Sequence, residues 1–118
     1  MRILIADDHE VVRQGLKQML SDEFPDVVFG ESSSAAETFE KALAEDWDLV
    51  ILDVNMPGRG GIESLADLKK AKPRMPVLIL SMFSESEYAV RALKAGAAGY
   101  VNKGSVTRDL IEAVRKAV

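Results

Sequence analysis

Leu49-Val50-Ile51-Leu52-Asp53, followed by Val54-Asn55-Met56-Pro57-Gly58, decides the fold. Four consecutive apolar residues with no alternation read as a strand covered on both faces. The run stops at a carboxylate, and Pro57-Gly58 marks a turn. In an open α/β sheet chemistry collects beyond the carboxyl ends of the strands, and this run delivers an acid there. Four more short apolar runs lie around it: Ile3–Ala6, Val27–Gly30, Val77–Leu80 and Gly99–Val101.

Between these runs the apolar residues recur at helical spacing. Val12, Leu16, Met19 and Leu20 form one stripe; Ala35, Phe39, Ala42 and Leu43 another. Ile62, Leu65 and Leu68 mark a helix over about Gly61–Ala71. Ala89, Ala92, Leu93 and Gly96 follow, then Leu110, Ile111, Val114 and Val118. Ser34-Ala35-Ala36-Glu37 and Ser84-Glu85-Ser86-Glu87 have the form of capping boxes. Pro25, Pro57, Pro73 and Pro76 all fall between elements. The resulting βαβαβαβαβα pattern predicts an α/β fold: a single open parallel sheet with helices on both faces, because such crossovers are right-handed.

Composition narrows the function classes. The chain has 118 residues, 47% hydrophobic and 29% charged, which suits one domain without staples. A net charge of −4 argues against this segment gripping nucleic acid by itself. With no cysteine there is neither a disulfide framework nor a thiolate metal site. No apolar stretch reaches membrane-spanning length, so no membrane partner is expected, and a cytoplasmic location is.

The residues just past each run carry the chemistry. Asp7, Asp8 and His9 follow the first, Asp53 the third, Ser81 the fourth, and Asn102-Lys103 the fifth. The second run leads to Glu31 and serines, with no evident chemistry. Carboxylates gathered at one edge repel unless a cation sits among them. An all-oxygen set suits Mg²⁺, which accepts a phosphate oxygen as a further ligand. The set fits a carboxylate nucleophile attacking phosphorus, with a metal and a lysine taking up the charge. Blander readings stand beside this one. Asp7 and Asp8 could cap the first helix, Asp53 could be a turn residue, and Tyr100 could be packing. His9 is read as the start of the first helix rather than as a ligand, since hard oxygen sites take Mg²⁺.

Four segments in order and spacing resemble the receiver domains of bacterial two-component response regulators. They are Ile3-Leu4-Ile5-Ala6-Asp7-Asp8-His9, Leu49 through Pro57, Leu80-Ser81, and Ala95-Gly96-Ala97-Ala98-Gly99-Tyr100-Val101-Asn102-Lys103. The resemblance implies a flavodoxin-like receiver fold, five parallel strands in the order 2-1-3-4-5 with five helices. It makes Asp53 the phosphoacceptor. Asp8, Asp53 and the backbone carbonyl of Asn55 would hold Mg²⁺, with Asp7 acting through a water. Lys103 and Ser81 would contact the phosphoryl group, and Ser81 and Tyr100 would be the switch pair. Implied partners are a sensor histidine kinase and a second copy of the chain on phosphorylation. The shifting surface would be the face of the fourth helix, fifth strand and fifth helix.

Asp7-Asp8-His9 and Gly60-Gly61-Ile62-Glu63 most resemble the subgroup of LuxR/FixJ/NarL type, whose members carry a C-terminal helix-turn-helix domain. Residues 1–118 would then be the receiver, with DNA bound only through a domain not in this chain. Many receivers have proline after the lysine; here Gly104 follows Lys103, which leaves the geometry of that peptide bond open. An alternative is a phosphorylation-independent interaction module on the same fold, although such proteins usually lose one of the acids or the lysine. A phosphomonoester hydrolase needs a second acid two residues past the nucleophile, and Asn55 stands there. A flavin site lacks its phosphate-cradling loop after the first strand.

Overall fold

The computed structural model describes residues 1–58, 60–82 and 86–118. Five strands form one parallel sheet: β1 (Arg2–Ala6), β2 (Val28–Ser32), β3 (Leu49–Asp53), β4 (Val77–Ser81) and β5 (Gly99–Asn102). Their order is β2-β1-β3-β4-β5, as the resemblance implied. The helices are α1 (Glu10–Glu23), α2 (Ala35–Ala44), α3 (Gly61–Ala71), α4 (Ser86–Lys94) and α5 (Val106–Ala117). A short 3₁₀ turn, Lys103–Ser105, leads into α5.

The sheet is a partition between two apolar cores. Ile3, Ile5, Leu49, Ile51, Leu78 and Leu80 face Leu16 and Leu20 of α1 and Leu110 and Val114 of α5. Alternate residues of the same strands, Leu4, Val50, Leu52, Val77 and Ile79, face Ala42 of α2, Leu65 and Leu68 of α3, and Ala92 of α4. Successive strand residues point to opposite faces, so only near-continuous apolar sequence fills both cores. β3 and β4 are accordingly buried at all of their positions.

Most strands outrun their apolar sequence. β3, β4 and β5 each end one residue later than the runs do, on Asp53, Ser81 and Asn102. β2 continues past Gly30 because Glu31 and Ser32 pair in register with Ile5 and Ala6. It lies at the sheet edge, where a half-exposed glutamate is tolerated. Three apolar positions assigned to buried stripes are exposed instead: Leu43 at 46%, Leu93 at 51% and Val118 at 56%. α2 buries Thr38 and Ala42, and α4 turns Ala92 to the core, which rotates each leucine outward.

The cap at α2 is shifted by a residue. Ser34 accepts from Glu37 N at 3.2 Å, but the Glu37 carboxylate reaches back to Ser33 N at 2.7 Å rather than to Ser34. The second proposed box, Ser84 to Glu87, lies outside the described residues, as does Phe83. The Lys103–Gly104 bond is trans. Asn102 Oδ1 accepts from Gly104 N at 2.7 Å and makes the bend into α5. Gly58, at φ +104°, holds the β3–α3 turn in a conformation side chains rarely adopt. Pro57 O beside it accepts from Ala35 N at 3.3 Å, tying the turn to α2.

Candidate functional site

The carboxyl ends of β1, β3, β4 and β5 converge on one acidic pocket. Asp7 follows β1 directly and is held by its own backbone, its N donating to Ser32 O at 3.0 Å. Asp53 is the last residue of β3, and β1 and β4 flank that strand on either side. Both side chains are fully buried. Lys103 leaves the end of β5 and places Nζ 3.0 Å from Asp7 Oδ2 and 3.1 Å from Asp53 Oδ2. Those contacts are ionic: neither oxygen accepts a well-directed hydrogen bond.

The other carboxylate oxygens are fixed by main-chain donors. Asn55 N donates to Asp53 Oδ1 at 3.0 Å, and His9 N donates to Asp7 Oδ1 at 2.8 Å. Asp8 stands at the mouth, its side chain 28% exposed. Asp7, Asp8, His9 and Asp53 each offer one donor atom, and these atoms lie within 4.8 Å of one another. Two buried carboxylates that share one ammonium, in an oxygen-rich cluster of that span, fit a small divalent cation.

Electrostatics set the pocket under tension. Burial lifts the Asp53 carboxyl above its usual range, and the Asp7 charge adds to this against the opposing Asn55 N–H and Lys103. For Lys103, burial works against the ammonium, but the Asp7 and Asp53 carboxylates together outweigh it and hold the proton above the ordinary lysine value. One ammonium is thus shared between two acids, and one more cation would relieve the remaining repulsion.

Ser81 closes β4 and is fully buried, opposite Asn102 in the β4–β5 register. Tyr100 packs against the core on the α2–α3–α4 side, its ring centroid 6.1 Å from that of Tyr88. Tyr88 escaped the sequence reading because an aromatic on a helix carries no signal of its own. Burial, followed by Tyr100, lifts the Tyr88 phenol above its usual range.

A second omission is Arg13. Its guanidinium bonds the Asp7 carbonyl at 2.6 Å through Nη1 and Glu31 Oε1 at 2.9 Å through Nε. Lys17 Nζ completes the group at 3.0 Å from Glu31 Oε2. Glu31, which the sequence left without a role, thereby braces the main chain of the acid pair. The spacing Asp7…Arg13…Lys17, one and two helical turns into α1, was the available signal. His9 is the residue flanking α1 at its start, as expected, but does not cap it with its side chain. Its ring Nδ1 turns instead to the acids, 3.0 Å from Asp7 Oδ1 and 3.2 Å from Asp8 Oδ1.

Comparison with known proteins matches residues 3–115 to the response regulator receiver domain. Response regulator GacA of Pseudomonas viridiflava is 37% identical over 115 residues, 98% of this chain and 54% of that protein. Oxygen regulatory protein NreC of Staphylococcus epidermidis is 39% identical over 116 residues, 98% of this chain and 53% of that one. This chain thus spans about half the length of the curated relatives it matches. Among solved structures, a LuxR-family two-component response regulator from Aurantimonas sp. SI85-9A1 superposes with a TM-score of 0.88 at 33% identity. That match covers 97% of this chain and 81% of the other. The isolated REC domain of RcsB from Salmonella enterica serovar Typhimurium, in the presence of phosphomimetic BeF3⁻, gives 0.89 at 27% identity, covering 98% and 86%. Sheet order, the lysine shared between two strand-end acids and these matches agree: the chain belongs to the response regulator receiver domain family.

Proposed function

We propose that this chain is a phosphorylation-operated switch in which Asp53 takes a phosphoryl group from the phosphohistidine of a sensor histidine kinase. One Asp53 oxygen bonds to phosphorus as the P–N bond breaks; the departing imidazole keeps the electron pair and takes a proton from solvent. The observation that carries this reading is Lys103 Nζ poised at 3.0 and 3.1 Å between Asp7 and Asp53. An ammonium in that place can follow the new phosphoryl oxygens without leaving the pocket.

Asp8, Asp53 and the Asn55 carbonyl would hold Mg²⁺, with Asp7 reaching it through a water; when bound, the ion neutralises charge on the transferring group. Ser81 donates its hydroxyl to a phosphoryl oxygen, and Tyr100 follows Ser81 inward. The chain assists its own phosphorylation and dephosphorylation without turning over an external substrate. The α4–β5–α5 face changes as a result and pairs two copies. If the active form is about 1% populated at rest, inverting the ratio takes about 5.5 kcal/mol, so dimerisation shares that work with the phosphoryl contacts.

In the full-length protein a DNA-binding domain would follow Val118 and convert the switch into control of transcription in the cytoplasm. The similarity to regulators of this type supports that extension. RcsB from Salmonella has been seen bound to the promoter rprA in the presence of phosphomimetic BeF3⁻. Among the described residues, no helix is long and apolar enough to cross a membrane.

The test is mass spectrometry after incubation with Mg²⁺ and acetyl phosphate. Wild type gains one phosphoryl group, and Asp53→Asn or omission of Mg²⁺ abolishes the gain. An unmodified but folded wild type, or an Asp53→Asn protein still labelled at full yield, defeats the assignment.

A further inference from the structure

Among the described residues of the acidic cluster, the imidazole of His9 is the donor that the proposed phosphoryl chemistry leaves unused. Three observations converge on it. Its Nδ1 lies 3.0 Å from Asp7 Oδ1 and 3.2 Å from Asp8 Oδ1. Two ligands sharing one cation at about 2.1 Å each stand about 3.0–3.4 Å apart, for octahedral or tetrahedral geometry. The donor atoms of Asp7, Asp8, His9 and Asp53 all fall within 4.8 Å of one another, so closing the widest pair by about 0.6 Å would bring it to the roughly 4.2 Å between opposite ligands of such a shell. Behind them, the fully buried Asp7 Oδ2 and Asp53 Oδ2 share a single ammonium, Lys103 Nζ, at 3.0 and 3.1 Å.

The backbone favours the same placement. His9 N donates to Asp7 Oδ1 at 2.8 Å, which fixes the residue beside the pocket before α1 begins at Glu10. The side chain is 59% exposed, so an ion arriving from solvent meets the ring at the mouth.

We propose that His9 is a metal ligand that extends this site to first-row transition cations of the Zn²⁺ class, bound by its Nδ1 together with the neighbouring aspartates. The reasoning is one of ligand type. Mg²⁺ gains little from an imidazole and is served by carboxylates, carbonyls and water. Zn²⁺ and its neighbours gain strongly from nitrogen, and imidazole is their commonest protein ligand. A pocket of oxygens alone ranks cations one way, and the same pocket with His9 at its mouth raises the later transition ions. Such an ion would compete with Mg²⁺ for Asp8 and Asp53, so the inference rests on the acid pocket of the proposed function.

A ring N–H donating to the two carboxylates gives the same separations, and the two arrangements part when a cation is added. The chain has a single histidine, so its ring nitrogen signals are unambiguous in ¹⁵N-labelled protein. Titration with Zn²⁺ at about pH 8, where an ordinary imidazole is neutral, should move the Nδ1 signal and saturate at one equivalent. By calorimetry, the ratio of Zn²⁺ to Mg²⁺ affinity should fall at least about tenfold in His9→Ala. His9→Gln should do the same, which guards against a folding defect in one variant. Ring signals unmoved through saturation, or a ratio unchanged in both variants, overturns the proposal. If wild type still binds Mg²⁺ and beryllofluoride in that case, the phosphoacceptor reading survives alone. A wild type that binds neither sinks both.

Discussion

At the amino ends of the strands, polar groups are matched. Arg2 N donates to Asp48 Oδ2 at 2.7 Å, Trp47 Nε1 to the Lys41 carbonyl at 2.9 Å, and Lys72 Nζ to the Glu45 carbonyl at 2.7 Å. The Arg2 guanidinium lies over the Trp47 ring at 4.8 Å. At the carboxyl ends the pattern inverts: Asp7 and Asp53 are buried with one oxygen each lacking a hydrogen bond, and a single lysine serves both. Stability resides at one end and unrelieved charge at the other. A receiver needs both, because a site already satisfied gains nothing from a metal ion or a phosphoryl group.

The largest effect should come from the amino end. Trp47 is 8% exposed and fills the space above Gly30, where a side chain would collide with its ring. Trp47→Ala should cost about 3–5 kcal/mol in denaturant unfolding. A loss under about 1 kcal/mol would mean that stability is not concentrated there.

At the carboxyl end the sign should reverse. Asp53 is held above its usual range chiefly by burial, so native protein takes up that proton before the unfolded chain does. The ionised form therefore weakens the fold as pH rises through the raised native value. Without divalent cations, Asp53→Asn should be more stable than wild type at pH 7, because the buried charge is gone. The gain should fade as pH falls through the raised native value and be gone below about 4, where both states are protonated. A destabilised Asn variant at neutral pH, seen by thermal melting, contradicts the contrast between the two ends.

The smallest effect belongs to the brace. Lys17 and Arg13 hold the Glu31 carboxyl below its usual range. Its contribution is present above the unfolded value near 4.5 and disappears as pH falls through the lower native one. Glu31→Gln should cost less than about 1 kcal/mol, since the pair is part-exposed and screened. The difference from wild type should shrink in acid and in high salt. A cost that persists unchanged at low pH would mean that shape, not charge, matters there.

Much of this was legible in the sequence, and the misses share a cause. The runs around Leu49–Leu52 and Val77–Leu80 announced doubly buried strands because no other arrangement hides consecutive branched residues. α3 came out at Gly61–Ala71 as the spacing of Ile62, Leu65 and Leu68 requires. Asp7, Asp53 and Lys103 could be placed together because an open parallel sheet sends all its strand ends to one edge. Orientation was harder. Leu43 and Leu93 point outward because a helix with several apolar faces chooses among them by what its neighbours leave open. Arg13 went unassigned, and His9 was read as a helix start with no contact for its ring, because long or rotatable polar side chains find partners only once the backbone has placed those partners.

Lys103 directly follows β5, and the sheet order sets β4 between that strand and the one ending in Asp53. Parallel neighbours lie about 4.8 Å apart, so the side chain arches over roughly 10 Å of strand ends to meet its acids. It works as a rope thrown across the top of a fence, mooring the far post to the near ones. Whatever draws the ammonium toward a new anion on Asp53 pulls on the start of α5 through three residues of 3₁₀ turn. On the proposed phosphoryl transfer, slack in that short tether would set how much of a chemical event at the rim is felt on the flank of the molecule.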